Sequence, residues 1–302
     1  METQAHGQAT LTPIWLLEEI DNKNKIEIGY RHSRYSSGLG SFRLPEIDQL
    51  VPASSNLYYI GNDISFIFRH KYILPARDAE INPVGRSVYI KYDFESNQFN
   101  SSGGYEVQDG LLVPKYTLYK FNRLEAIWTE GIRLPGWKHA LTLRVRGGTI
   151  LNGPVDDFFN FYAGGVIGMQ GYTFYALGGN HVAAATLTYR FPIVESIGWK
   201  LGHVVFDKLY ASVFADAGDA WTKEKRFLDD LKRDVGFEVR LQSFSFYMYP
   251  TSIFFSGAYG LDQFARQFGN RDITYGKEWR FYFGILFGFD LTDGLQSMKM
   301  RW

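Results

Sequence analysis

The sequence predicts an all-β protein built around one antiparallel barrel-type sheet, and three observations carry that prediction. Apolar and polar residues alternate with period two over many successive stretches. Those stretches are separated by turns rich in Gly, Asn, Asp and Pro, such as Ser101-Ser-Gly-Gly104. Only Lys223 to Arg233 offers a helical candidate, and this short charged stretch reads as a loop excursion between strands.

Taken in order, residues 1–24 form an N-terminal segment, read as part of a preceding strand, and residues 25–302 form the barrel domain. Met1 to Ile20 shows no basic n-region, and Leu11 to Leu17 is too short for the apolar core of a secretory signal. Two expectations compete: a cytoplasmic chain, or the C-terminal part of a longer exported one. The pattern that follows favours the second. Ile26, Ile28 and Tyr30 alternate with Lys25, Glu27 and Arg31, and Ile64, Phe66 and Phe68 with Ser65 and Arg69. The same alternation sets Val88, Ile90, Tyr92 and Phe94 against Lys91 and Asp93, then Leu124, Ala126 and Trp128 against Arg123 and Glu125. Leu141, Leu143 and Val145 oppose Arg144 and Arg146, and Ala183 to Phe191 oppose Thr186, Thr188 and Arg190. After a strand at Leu209–Trp221, Val235 to Leu241 oppose Glu238 and Arg240, and a weaker pattern runs from Ile253 to Tyr259. The last strand is the clearest, with Trp279, Phe281, Phe283, Ile285, Phe287 and Phe289 on one face and Arg280, Tyr282 and Gly284 on the other. The total is about ten strands.

Which face is inside decides the class. A soluble barrel packs its apolar face inward, whereas a membrane barrel turns it to lipid and lines its lumen with polar groups. Six bulky residues in one row at Trp279–Phe289 are hard to fit inside a small barrel. Aromatics near strand ends (Tyr58, Tyr59, Trp128, Trp137, Trp199, Trp221, Trp279) suit interfacial girdles, so the reading tilts to lipid. A soluble β-sandwich remains the alternative.

Composition narrows the function. The 302 residues carry 32 Lys plus Arg and 32 Asp plus Glu, and zero net charge argues against a nucleic-acid partner. The absence of cysteine excludes a disulfide scaffold, a thiol nucleophile and thiolate-bound zinc. His6, His32, His70, His139, His181 and His203 are scattered without metal-ligand spacing, no nucleophile elbow is present, and the Gly164-Gly165 and Gly178-Gly179 pairs lack a following Gly-Lys-Ser/Thr. No catalytic residue, metal or cofactor is therefore expected. The inward charges Arg69, Lys91, Asp93, Arg123, Glu125, Arg144, Arg146, Glu238, Arg240 and Arg280 have mixed signs, which suits a self-neutralising interior better than a selective pore.

Between two strands lies a glycine-rich loop, Tyr162 to Asn180, that carries Val166, Ile167, Met169, Tyr172, Phe174 and Tyr175. Surface loops are ordinarily polar, so this one is expected to be tucked inside. Its segment Gly164-Gly165…Gly168-Met-Gln-Gly-Tyr172…Leu177-Gly-Gly-Asn180 is followed by Leu187-Thr-Tyr-Arg-Phe-Pro192 and Phe214-Ala-Asp-Ala-Gly218. Together these resemble the signature region of the BamA/TamA superfamily of outer-membrane barrels, the bacterial surface antigen family. The resemblance covers roughly Gly147 to Phe289 well and the earlier strands by pattern alone.

That resemblance implies a lumen-inserted loop at Gly168, Met169, Gln170, Gly171 and Tyr172. It implies a loop-partner strand bearing Phe214, Asp216 and Gly218, and a closing strand bearing Trp279, Phe281, Phe283, Phe287 and Phe289. Two departures matter. The family's loop arginine is replaced by Gln170, so Asp216 needs another cation, with Arg190 and Arg240 (beside Glu238) as candidates; the loop is then expected to be held by neutral hydrogen bonds and by packing of Met169 and Tyr172. The family barrel has sixteen strands, so the chain is expected to be its C-terminal portion, with missing upstream periplasmic domains. The implied role is insertion or translocation of proteins or lipids at the bacterial outer membrane. Its partners would be outer-membrane lipid and unfolded outer-membrane or secreted polypeptides. The alternatives are a passive anchor for a periplasmic domain and a soluble barrel that binds an apolar ligand.

Overall fold

The computed structural model describes residues 2–11, 23–39, 42–44, 49–51, 54–74, 83–108, 111–135, 138–153, 155–222, 230–246, 249–268 and 271–287. Eleven strands follow one another as an antiparallel up-and-down path: β1 (Glu2–Leu11), β2 (Lys23–Leu39), β3 (Ser54–Ile73), β4 (Gly85–Phe99), β5 (Thr117–Arg133), β6 (Ala140–Leu151), β7 (His181–Val194), β8 (Val204–Trp221), β9 (Lys232–Ser245), β10 (Tyr249–Gly260) and β11 (Trp279–Phe287). Trp199–Leu201 adds a short strand to β8. The strand beyond the ten anticipated is β1, too polar (Glu-Thr-Gln-Ala-His-Gly-Gln) to show alternation, yet laddered along β2 from Glu2↔Ser37 to Leu11↔Ile28. Among the described residues no ladder joins β1 to β11. Trp137, Phe289 and the tail after Asp290 lie outside the described residues, as does most of the Lys223–Arg233 stretch, whose last two residues open β9. Phe287 belongs to β11, but its side chain is outside the description.

The two ends of the sheet differ. At one end the connections carry their own hairpins, Phe42–Leu44 with Gln49–Val51, Tyr105–Gln108 with Leu111–Pro114, and Phe264–Phe268 with Arg271–Tyr275, together with the whole 152–180 insert. At the other end β5 and β6, and β9 and β10, join through short turns. Such an asymmetry of long and short connections is typical of outer-membrane barrels.

Polarity is inside-out. Phe281 is 60% and Phe283 70% exposed, and Trp279 and Ile285 project beside them. The same outward row continues through Ile26, Ile64, Phe66, Ile90, Trp128, Val145, Leu187, Val213 and Val235. Glu27, Asp63, Asp93, Asn97, Ser212, Asp216, Asp234, Gln242 and Ser256 are buried on the opposite face. Burying one such large apolar side chain is worth about 1.5–3 kcal/mol. The β11 row alone, left half-exposed to water, forgoes on the order of 5 kcal/mol, comparable with the net stability of a whole domain. A soluble barrel would not repeat that loss on every strand. This is the polarity of a transmembrane barrel.

Inward-facing apolar residues are exceptions with a purpose. Ile67, Tyr89 and Ile127 make a small cluster across β3, β4 and β5. The main core gathers Tyr59, Phe99, Phe121, Ile150, Val182 and Ala220 from successive strands around Phe159, Phe161, Met169, Tyr172 and Leu177 of the insert. Tyr59 is therefore an interior residue and not a girdle residue: its ring lies over Gly61, where an added Cβ would stand 2.1 Å from the hydroxyl, and that hydroxyl donates to Asn97 Oδ1 at 2.9 Å.

Candidate functional site: the interior insert and its latch

The insert begins where β6 ends. Asp156 caps a short turn at Asp157–Phe159 by accepting from the Phe158 N–H at 3.0 Å, and that turn throws Phe159 and Phe161 into the interior. Phe161–Tyr162 and Gly178–Gly179 then pair as a two-rung ladder at the base of the insert. Beyond it the chain doubles back on itself, with Ala163 N–H to Leu177 O (2.9 Å), Met169 N–H to Ala163 O (2.7 Å) and Gly165 N–H to Tyr172 O (2.9 Å). Gly168 permits this fold, because a Cβ there would stand 2.0 Å from the Ala163 carbonyl oxygen.

Met169, 1% exposed, and Tyr172, 0% exposed, are the buried end of the insert, while Val166, Phe174 and Tyr175 stay exposed. The hydroxyl of Tyr172 donates to Arg233 O at 2.8 Å and accepts from the Asp262 N–H at 3.1 Å, and its ring lies 5.6 Å from that of Phe264. Burial pushes this phenol up to about 12. Asp262 is fixed in turn by a fork to Arg233, which holds its carboxyl below the usual carboxylate range.

Between these anchors, two consecutive backbone N–H groups meet two aspartates. The Gln170 N–H donates to the Asp216 carboxylate, and the Gly171 N–H donates to Asp234 Oδ2 at 2.8 Å. Register explains the arrangement. Arg144 faces Thr186, Thr186 faces Asp216, Asp216 faces Asp234 and Asp234 faces Gly260, so one level of the wall crosses β6 to β10 in a single line. The insert lies along it: a Cβ on Gly171 would stand 2.5 Å from Asp234 Cβ and 2.8 Å from the Gly260 nitrogen. Two levels along, where Ser256 faces Glu238 and Tyr282, the Ser256 hydroxyl donates to Gln170 Oε1 at 3.0 Å and the Tyr282 hydroxyl donates to Gln170 O at 2.8 Å.

Asp216 thus sits against the insert, with Phe214 and Gly218 on the same interior row of β8. Arg190 and Arg240 stand farther along the wall. Arg190 faces Ser212, four residues down β8, or roughly 13 Å at the rise of a strand. Arg240 faces Tyr210, farther still, and pairs with Glu238 at 2.7 Å beside Arg190. In line with Asp216 across Thr186 stands Arg144, whose charge acts on it.

Other side chains fasten the insert at its base and top. Arg146 Nη1 donates to Tyr162 O at 2.8 Å while its Nε pairs with Glu125 at 2.7 Å. Arg123 donates to Phe159 O and stands 4.8 Å over the Phe161 ring while pairing with Glu95. From above, Arg266 of the 264–275 hairpin donates to the carbonyls of Tyr175, Ala176 and Gly178. Elsewhere in the interior the charges neutralise one another, as Arg31 with Asp63, Lys91 with Asp93 and Lys25 with Glu27.

No family model and no curated protein matches the chain. Among solved structures it is similar to the crystal structure of BamA from Haemophilus ducreyi lacking POTRA domains 1–3, with TM-score 0.53 and 15% identity over 94% of this chain. The likeness is one of fold. The chain spans 55% of that structure.

Sequence reasoning singled out Gln170, Tyr172 and Asp216 but not Asp234, Asp262 or Arg266. Asp234 shares the parity of Glu238 and Arg240, so its interior face was readable. That it stands opposite Asp216 depends on the register between β8 and β9, which strand periodicity alone does not set.

Proposed function

We propose that the protein is an outer-membrane β-barrel of the BamA type that takes part in inserting or translocating polypeptides, or lipids, at the bacterial outer membrane. The observation that carries this reading is the pairing of an apolar outer surface with an interior insert latched to the wall. Fold likeness to a BamA barrel supports it, and so does the asymmetry of the connections. A plugged, internally neutralised interior gives little room for a passage along the axis. It favours work done at the wall, where the apolar rows meet lipid. Outer-membrane lipid and a client polypeptide are then the partners, and no cofactor or catalytic residue is needed.

Fractionation is the first test: the protein should pellet with outer membranes and need detergent for extraction, and recovery in a detergent-free soluble fraction would overturn the reading. Depletion is the second. If the protein assembles or exports clients, its loss should lower folded outer-membrane protein in the membrane fraction. Unchanged assembly and export together with normal fractionation would leave a passive anchor.

A further inference from the structure

The two aspartates that receive the insert raise a question of charge. Asp216 and Asp234 are direct cross-strand partners, 4% and 0% exposed. Oδ1 of each meets no donor among the described residues. Two carboxyl groups buried side by side do not both ionise without strong mutual repulsion, so one of them keeps a proton. With a single proton shared between them, the pair bears one negative charge, which Arg144 balances. Without it, two buried negative charges face each other across one rung, with one arginine to offset them.

Among the described residues no other cation stands at that level. From β6 come Arg144 and Arg146, the latter committed to Glu125. From β7 comes Thr186. One level away, Lys232 of β9 pairs with Asp230 at 3.6 Å, and Arg280 of β11, facing Ala258, pairs with Glu278. Two levels away stand Ser256 and Tyr282. The insert itself offers Gln170 and Tyr172, and the hairpin above offers Asp262, already forked to Arg233. An arginine at position 170 would have brought the missing positive charge, and glutamine brings none.

We infer that a proton held between Asp216 and Asp234 is the counter-ion of this latch, so that the insert is locked while the proton is present and released when it leaves. The mechanism is electrostatic and reversible: the proton departs to solvent, the two carboxylates repel, and the Gln170–Gly171 backbone loses the geometry that both acceptors supply together. Release of the insert is thereby tied to the pH of the surrounding solvent. This goes beyond the assembly role proposed above and holds whatever the barrel carries.

The chain has no cysteine, so a single Met169→Cys reporter, placed at the buried tip, reads release directly. The full chain, folded in detergent micelles, is labelled with a maleimide from about pH 5 to about pH 10, a range that brackets ordinary carboxylate and tyrosine titration. Each rate is divided by that of the unfolded chain at the same pH. Release of one proton predicts a protected rate at the acid end that rises by up to about tenfold per pH unit on the alkaline side. Asp234→Asn keeps an acceptor for the Gly171 N–H and a permanent donor for Asp216, so its profile should be flat and low. Asp216→Asn serves as the second variant should the first not fold, and is expected to behave alike. Parallel profiles in the aspartate and asparagine backgrounds, or release on the acid side, would overturn the inference.

Discussion

Gly171→Ala tests whether the insert is held as tightly as its contacts imply. The added Cβ would stand 2.5 Å from Asp234 Cβ, 2.8 Å from the Gly260 nitrogen and 2.9 Å from Gly260 Cα. None of these is the far end of a flexible side chain, so the wall or the insert must move. Overpacking of this kind costs about 1–3 kcal/mol. Movement also breaks the Gly171 N–H to Asp234 bond, worth about 1 kcal/mol net. Together the change weakens the latch by about 2–4 kcal/mol, which raises the released population roughly 30- to 1000-fold at 1.4 kcal/mol per decade. The assay is protease cleavage within the insert of the folded, detergent-solubilised protein, with the temperature at which the barrel loses its fast mobility on cold gels as a second reading. Gly147→Ala is the control, because nothing lies within 4 Å of a Cβ there, and it should leave both readings unchanged. Equal behaviour of the two variants would refute the view that the insert is latched at Gly171.

Four further outcomes follow from the same geometry. Arg266→Met removes the donors that hold the Tyr175, Ala176 and Gly178 carbonyls, and should raise cleavage near Tyr175 by about tenfold while leaving the barrel folded. Asp262 is held below its ordinary range by Arg233, so its contribution is complete above the unfolded aspartate value near 4 and is lost as pH falls through the lowered one; the 264–275 hairpin should loosen only in strong acid, and Arg233→Gln should abolish that acid step, as hydrogen exchange at Asp262 would report. Phe283→Arg puts a charge on an aromatic of β11 that is 70% exposed, at about 2–4 kcal/mol if that position lies near the bilayer midplane, and should lower membrane integration, whereas unaltered integration would count against a lipid-facing row. Gln170→Arg supplies the charge that the shared proton now supplies, and should raise the cold-gel transition temperature most at alkaline pH; a lowered temperature would show that the site does not accept a cation.

How much of this was readable beforehand divides along physical lines. Strand existence and facing were legible because period-two alternation is a local property: Phe281 and Phe283 declare an apolar face whatever they pack against. The tip of the insert was legible because Met169 and Tyr172 among glycines suit a buried segment better than a solvated loop, whereas Val166, Phe174 and Tyr175 of the same loop stay exposed. What stayed hidden is relational. Asp234 meets Asp216 only through the β8–β9 register, and a shift of one residue would have sent it to the outer face. Arg190 looked like the partner of Asp216 from its neighbouring strand, yet the register sets it opposite Ser212, and Arg144 is the arginine in line with Asp216. A preceding strand was expected within residues 1–24, but the bounds of β1 were not readable because its sequence shows no alternation; they come from ladder bonds to β2. Tyr59 shows the converse: an aromatic near a strand end suggests a girdle, but its neighbour Gly61 leaves a slot that the ring fills from inside.

The placement of charge across the sheet bears on what the insert can do. From β2 to β6 the interior acids each meet a base, at Arg31–Asp63, Lys91–Asp93, Arg123–Glu95 and Arg146–Glu125. Removing one partner of such a buried pair costs several kcal/mol, so this half of the wall resists rearrangement and grips the base of the insert through Arg123 and Arg146. On β8 to β11 the tip is met by the aspartate pair, two hydroxyls and a backbone carbonyl, with Arg144 the arginine in line with the acids among the described residues. Those contacts are individually worth about 1 kcal/mol and can be broken one at a time. The insert is therefore hinged at its base on a stiff wall and fastened at its tip to a softer one. A motion that frees the tip also uncovers the interior of β9, β10 and β11, the strands next to the sheet edge at β11. On the proposed reading that is the side where a client strand or lipid would be handled, and the latch at Asp216 and Asp234 is placed to govern it.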